Sequence, residues 1–235
     1  SPDMRSHAVG RLIKDLFQYH DRDRFEIHAF SLVPTKDEIA MKIKDTVGHY
    51  HKVIGKPALE IAKLINEQCI DVLVEMGGQT TSSKMEVAMF RPAPVIISWL
   101  GYLDTMGTDL YDYILTDEKM FSDDLRPHFS EEPLFMNRSM FPMAKMDVSD
   151  YPPTRRDMEL PENAIVLASF NTVYKIEPNV FDLWMKILRE ADNTVLWLFE
   201  GAGEVVQKNL RQEAENRGVS GDRLVFARMR PNEEI

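Results

Sequence analysis

The sequence predicts an α/β fold with mostly parallel sheets, and three observations predict it. Short, apolar, β-branched runs alternate with amphipathic stretches along most of the 235 residues. Several of these runs lack the alternation of a half-exposed strand, which is how a strand covered on both faces reads. The turns after them are polar or glycine-bearing, as suits a strand handing over to a right-handed crossover helix.

In chain order, Val9, Leu12, Ile13, Leu16 and Phe17 fall at i, i+3, i+4, i+7 and i+8 and predict a helix with one buried face. A strand follows over 25–32, a helix over 37–46, a short strand over 49–54 and a helix over 57–68 with Leu59, Ala62 and Ile65 inward. The run 70–75 has no alternation and reads as a central strand, ending in Gly77, Gly78, Gln79 and Thr80, a turn that permits close backbone approach to a ligand. A helix over 85–90 closes at Arg91-Pro92, and strand 95–100 leads into a second loop, 101–108. Strands over 112–116 and 133–136 complete the first unit. Between 141 and 163 the pattern lapses into Pro, Asp and Arg, which marks a domain boundary; the first lobe is expected over 1–148 and the second over 149–235.

The second unit opens on the most informative stretch. Residues 164–170 read as a strand buried on both faces, and Asn171, Thr172, Val173, Tyr174 and Lys175 form a polar, cationic turn after it. Pro178 then starts a helix with the stripe Val180, Phe181, Trp184, Ile187 and Leu188. In open α/β sheets ligands sit beyond the carboxyl ends of strands, and Lys175 brings a positive charge there, which suits a phosphate. Strand 194–199, helix 204–217 and strand 224–227 follow, half of a Rossmann-like lobe. The chain reads as a piece of a longer one, its first lobe lacking its first strand and a further helix beginning at 231–235.

The composition bounds the partners. With 44% apolar residues the chain can bury a core, and a net charge of −10 argues against a nucleic-acid footprint or an anionic-membrane patch. No apolar run is long enough to span a bilayer and no signal-peptide pattern opens the sequence, so a cytoplasmic location is the default expectation. The single Cys69 excludes an internal disulfide and reads as a buried free thiol beside a strand.

Several candidate motifs fail. Gly201-Ala202-Gly203 would need its third glycine at Val206, so it is a plain strand-to-helix turn. His49 and His51 share a strand face but have no third metal ligand at supporting spacing, so no metal site is expected. His20, His28 and His128 lie among surface-like residues. His7 differs: it opens the first helix, where a neutral imidazole is favoured, and is either a base or sugar-phosphate contact or an ordinary cap. His7, the 77–80 turn and the 171–175 turn all fall at strand carboxyl ends.

Five motifs carry a resemblance over nearly the whole chain. SPDMRSH at 1–7, RPAP at 91–94, WLGY at 99–102, DYILTD at 112–117 and FN-x-x-YK at 170–175 occur in the order found in the catalytic region of the O-linked N-acetylglucosamine transferase and SPINDLY family. The resemblance implies a GT-B glycosyltransferase of two Rossmann-like lobes, transferring a sugar without metal or other cofactor from a nucleotide donor, UDP-GlcNAc foremost, to Ser or Thr of an acceptor protein. It implies His7 as the debated general base, Thr80 in a loop lining the cleft, and Lys175 as a contact to the donor diphosphate. Thr172 stands where animal enzymes have a donor-contacting Gln, and Asn171 and Tyr174 belong to the same motif. GDP-fucose transfer, Asn N-glucosylation or a non-catalytic protein-binding role are the alternatives within reach of the same resemblance. Family members carry tetratricopeptide repeats upstream and further donor-site elements downstream. Met4, Gln79 and Leu103-Asp104 depart from the family's usual Phe, His and Pro-Gly.

Overall fold

The computed structural model describes residues 1–34, 36–142, 152–201 and 203–227. The chain divides into two compact units, Ser1–Lys145 and Met146–Ile235. The expected boundary at 148/149 and the expected helix start at 231–235 lie outside the described residues.

In the first unit α1 (Ala8–Ile13), β1 (His28–Ser31), α2 (Glu38–Thr46), β2 (His49–Lys52), α3 (Ala58–Glu67), β3 (Val72–Glu75), β4 (Val95–Ser98), β5 (Tyr113–Thr116) and β6 (Glu132–Phe135) follow one another. All strand pairs are parallel, in a two-stranded sheet β1-β2 and a four-stranded sheet of order β3-β4-β5-β6. Asp37 caps α2 by accepting the Ala40 N–H at 2.9 Å, which fixes where that helix starts. The expected helix over 85–90 is a 3-10 helix, Met85–Phe90, ended by Arg91 in the left-handed region at φ 43°.

The run 70–75 was expected at the centre of a sheet, yet β3 is an edge strand with Val72 47% and Val74 41% exposed. An unbroken apolar run reports apolar faces, not two hydrogen-bonded neighbours, and the interior places go to β4 and β5, where Ile96 and Ile114 are buried. The residues of β1 and β3 line an apolar groove of about 250 Å³. On the β1 side Ser1 already pairs as a parallel strand would, its amino group donating to Phe30 O at 2.9 Å and its carbonyl accepting from Leu32 N at 3.2 Å.

Three further expectations are corrected. On α3 it is Ile61, with Ala62 and Ile65, that turns inward, while Leu59 is exposed. Cys69 is exposed, not buried, because it takes the left-handed position after α3 at φ 52°, where the chain turns out toward solvent before β3. The side chain of His28 is only 7% exposed, since it lies between the imidazoles of β2.

The second unit consists of β7 (Ile165–Ser169), α4 (Pro178–Glu190), β8 (Thr194–Phe199), α5 (Gly203–Asn216) and β9 (Leu224–Ala227), with parallel order β7-β8-β9. Here β8 is central and β7 is an edge strand, with Ile165 60% exposed. The buried stripe of α4 is Phe181, Met185 and Leu188, packed on Leu196, Leu198 and Leu224, while Val180 and Ile187 face solvent. Arg223 ties these elements by donating to Thr194 O at 2.8 Å, Leu188 O at 2.6 Å and Ala191 O, satisfying carbonyls at the end of α4. No helix among the described residues is long and apolar enough to cross a membrane.

Candidate functional site

Polar loops gather at the carboxyl ends of the first unit's strands because the core beneath them is shared. Met4 and Val9, on either side of His7, pack in one cluster with Met76 just after β3 and Leu100 just after β4. That cluster brings the 1–7 segment, the 77–80 turn and the 101–108 loop to one end of the unit.

His7 is the N-cap of α1, with extended backbone at φ −144° and ψ 159°. Its Nδ1 accepts from Val9 N at 3.3 Å and also lies 3.5 Å from Asp3 Oδ1. The two contacts call for different tautomers. While Nδ1 accepts from the backbone, the ring proton sits on Nε2; when Nδ1–H donates to Asp3, the Nε2 lone pair is free to take a proton. The ring is 41% exposed while the Asp3 side chain is 11% exposed, so the carboxylate is the fixed partner.

The 77–80 turn is built differently from a ligand cradle. Glu75, the last residue of β3, folds its carboxylate back over the turn, accepting Gly77 N at 2.9 Å and Gly78 N at 2.6 Å. Those N–H groups, which the sequence offered to a ligand, are therefore engaged by the protein's own anion. Gly78 sits at φ 50° and a Cβ there would lie 2.4 Å from Tyr102, so its lack of a side chain serves packing against the second loop. The Thr80 hydroxyl donates to Gly77 O at 2.5 Å, and Gln79 reaches Met106 O at 3.4 Å.

The 101–108 loop is held from below by Glu131, which is 0% exposed. Its carboxylate accepts Met106 N at 2.6 Å and the Thr105 hydroxyl at 2.7 Å. Asp104 accepts the Thr105 N–H at 2.8 Å, so its charge is spent within the loop.

The motifs at 91–94, 99–102 and 112–117 prove to be scaffold. Arg91 grips Asp112 through both carboxylate oxygens, at 2.6 and 2.8 Å, and donates to Pro94 O and Leu110 O. Burial raises the Asp112 pKa, but the Arg91 and Ile96 hydrogen bonds outweigh it and hold the carboxyl below its ordinary value. Trp99 Nε1 donates to Met140 O at 3.0 Å while Asp117 accepts Met140 N at 2.8 Å, so two motifs clasp one residue.

In the second unit the turn after β7 is short and tight: Lys175 N donates to Thr172 O at 2.9 Å and Ile176 N to Val173 O at 3.0 Å. Asn171, Thr172, Tyr174 and Lys175 are all exposed. The Lys175 ammonium has no ion-pair partner among the described residues. The Gly201 and Gly203 positions fit the plain turn: a Cβ on Gly201 would lie 2.1 Å from the Phe199 ring, and Gly203 takes φ 76° at the start of α5.

The structure thus brings His7 and Thr80 to one end of the first unit and collects Asn171, Thr172, Tyr174 and Lys175 in the second. Asp3 and Glu75 were missed by sequence reasoning. Asp3 carried a signal in its four-residue spacing to His7, and Glu75 in standing two residues ahead of a Gly-Gly pair whose N–H groups need an acceptor.

Parallel α/β units with polar turns beyond their strand ends define a Rossmann-like enzyme scaffold. The profile of Glycosyl transferase family 41 matches residues 1–150 and 143–235, and the chain belongs to this family of glycosyltransferases. It is 30% identical over 235 residues to the probable UDP-N-acetylglucosamine–peptide N-acetylglucosaminyltransferase SEC of Arabidopsis thaliana, covering 96% of this chain and 24% of that protein. It is 29% identical over 200 residues to the rice protein of the same probable activity, SPINDLY, covering 83% of this chain and 21% of that one. A mutant of Thermobaculum terrenum O-GlcNAc transferase superposes with a TM-score of 0.90 at 25% identity, over 99% of this chain and 44% of that one. The α/β fold with parallel sheets is therefore that of a GT-B enzyme, and the chain spans about a quarter or less of the two plant relatives.

Proposed function

We propose that this chain forms part of the catalytic region of a cytoplasmic protein O-glycosyltransferase that transfers N-acetylglucosamine from UDP-GlcNAc to Ser or Thr of an acceptor protein. The observation that carries the reading is the exposed Lys175 ammonium, without an acid partner among the described residues, in the turn beyond the carboxyl end of β7. The probable activity of the plant relatives, transfer of N-acetylglucosamine from UDP-N-acetylglucosamine to peptide, supplies the donor and the acceptor class.

In this reading the acceptor hydroxyl oxygen bonds to the anomeric carbon as the bond from that carbon to the diphosphate oxygen breaks, with inversion. The hydroxyl proton passes to His7 Nε2, which is basic when Nδ1–H is turned to Asp3. Negative charge grows on the departing UDP, and Lys175 offsets it, which is the part a metal ion plays in other transferases; no metal or other cofactor is needed for this step. Asn171, Thr172 and Tyr174 hold the donor beside Lys175, and Thr80 belongs to a substrate-binding loop of the first unit.

The test is a donor panel. The intact glycosyltransferase carrying this region is incubated with radiolabelled UDP-GlcNAc, UDP-glucose or GDP-fucose and a mixture of acceptor proteins, and modified residues are located by mass spectrometry. Label from UDP-GlcNAc on Ser or Thr is expected. Label from GDP-fucose alone, or on Asn from UDP-glucose, overturns the donor and acceptor assignments, and partner binding without any transfer overturns the catalytic one.

A further inference from the structure

The strand face that carries His49 and His51 gains in three dimensions the ligands that its spacing lacks. Parallel pairing sets His28 opposite His49 and Phe30 opposite His51, so three imidazoles share one face of the β1-β2 sheet. The His28 ring lies 4.3 Å from that of His49 and 5.2 Å from that of His51. Glu26, just before β1, brings Oε1 to 2.6 Å from His49 Nε2 and 3.5 Å from His28 Nε2. One ligand atom from each of Glu26, His28 and His49 lies within 4.8 Å of the others.

A surface carboxylate beside two histidines is ordinarily an ion pair. What separates this cluster from one is the outer contact: His28 Nδ1 lies 3.1 Å from His51 Nε2. With Nδ1–H donating to His51, the lone pair of His28 Nε2 is left free on the side of Glu26, 3.5 Å away, and the ring is held by a side chain that is not itself a ligand. Metal-binding histidines are oriented in this way. The separations of 2.6 and 3.5 Å also bracket the edge of about 3.3 Å that ligand–metal bonds of about 2.05 Å give in a tetrahedral zinc site.

We propose that Glu26, His28 and His49 bind a divalent transition-metal ion of the zinc type, with His51 as the orienting partner of His28. Two imidazoles and one carboxylate suit zinc and its neighbours over calcium or magnesium, which require oxygen donors. His49 is 48% and Glu26 70% exposed, so the ion reaches the cluster from solvent and water completes its shell. His28 and His49 begin their strands, whereas the 77–80 turn follows the carboxyl end of β3 and His7 is held at that same end by the packing of Met4 and Val9 on Met76 and Leu100. The ion therefore clamps the start of β1 to the start of β2 and takes no part in sugar transfer.

The test uses the full chain, stripped with chelator and titrated with zinc chloride by calorimetry. One zinc per chain is expected, with a rise in thermal midpoint that chelator reverses, and cobalt in its place gives visible d–d absorption. His49→Ala and Glu26→Gln, both at accessible positions, each weaken zinc binding more than about tenfold, and His51→Ala, which removes no ligand, weakens it about tenfold to a hundredfold. Absence of saturable uptake overturns the proposal. So does zinc binding of unchanged affinity in both His49→Ala and Glu26→Gln, which assigns the ion to other residues such as the exposed Cys69.

Discussion

Removing the Glu75 carboxylate should loosen the 77–80 turn while leaving the sheet beneath it intact. The side chain satisfies two backbone N–H groups on buried glycines, at 2.9 and 2.6 Å, and also receives the Ser83 hydroxyl at 3.4 Å. Each hydrogen bond to a charged acceptor contributes about 1.5 to 3 kcal/mol, and truncation leaves donors that water reaches only in part. Taking the lower value for each of the two short bonds, Glu75→Ala should cost about 3 kcal/mol. Glu75→Gln keeps one acceptor oxygen and sets an amide NH2 against the other N–H, so about half that loss is expected. The assay is native-state hydrogen exchange at the Gly77 and Gly78 amides together with urea unfolding, which separates a local opening from a change in global stability. Unchanged protection at both amides in Glu75→Ala would refute the reasoning, because it would mean that the carboxylate is not their acceptor.

Three further outcomes follow from the same geometry. Asp3→Asn should lower kcat for transfer by up to about a hundredfold with donor affinity kept, because the carboxylate no longer holds His7 in the tautomer whose Nε2 lone pair is free; an unchanged kcat contradicts that role. Glu131→Ala should destabilise the first unit by about 3 kcal/mol, since it leaves Met106 N–H buried without an acceptor, whereas Glu131→Gln, which keeps one carbonyl oxygen for that N–H, should cost far less in the same urea titration. The Asp117 pKa is held below its ordinary 3.8 chiefly by the Met140 N–H, so its stabilisation is complete above 3.8 and lost as pH falls through the lower folded value; Asp117→Asn should be less stable than the parent near neutrality, and the gap should close below pH 3.8 in acid titrations of unfolding.

Much of the fold was legible because the α/β period is strong. The strands over 194–199 and 224–227 and the helix from Pro178 to Glu190 lie where apolar runs and a proline start predict them. Strand position within a sheet was not legible: 70–75 reads as central and 164–170 as covered on both faces, and both form edges, because hydrophobic runs record covered faces and say nothing of lateral neighbours. The α4 stripe slipped by the same kind of ambiguity, since Met185 and Ile187 are both apolar and only packing against β8 chooses between them. Cys69 escaped because its exposure follows from one left-handed residue after α3.

The candidate site was legible where a side chain acts alone and opaque where residues act in pairs. Lys175 stands exposed in a polar turn after a strand, and that placement is the part the sequence makes readable. The Asp3–His7 contact and the Glu75 fold-back depend on tautomer and turn geometry, and the Glu26–His28–His49 cluster depends on the register of β1 on β2 across 21 residues. The ordered motifs that signal the family contribute to the frame: Arg91 with Asp112, and Trp99 with Asp117 through Met140, hold loops in place.

The most direct test of the account is Lys175→Ala in the intact glycosyltransferase, assayed for sugar transfer under saturating donor alongside UDP binding by calorimetry. Loss of a charge that meets the departing diphosphate should lower kcat by about a hundredfold, equivalent to about 3 kcal/mol, with a smaller loss in UDP affinity and partial rescue by Lys175→Arg. Transfer within twofold of the parent would remove Lys175 from the donor site and the central claim with it.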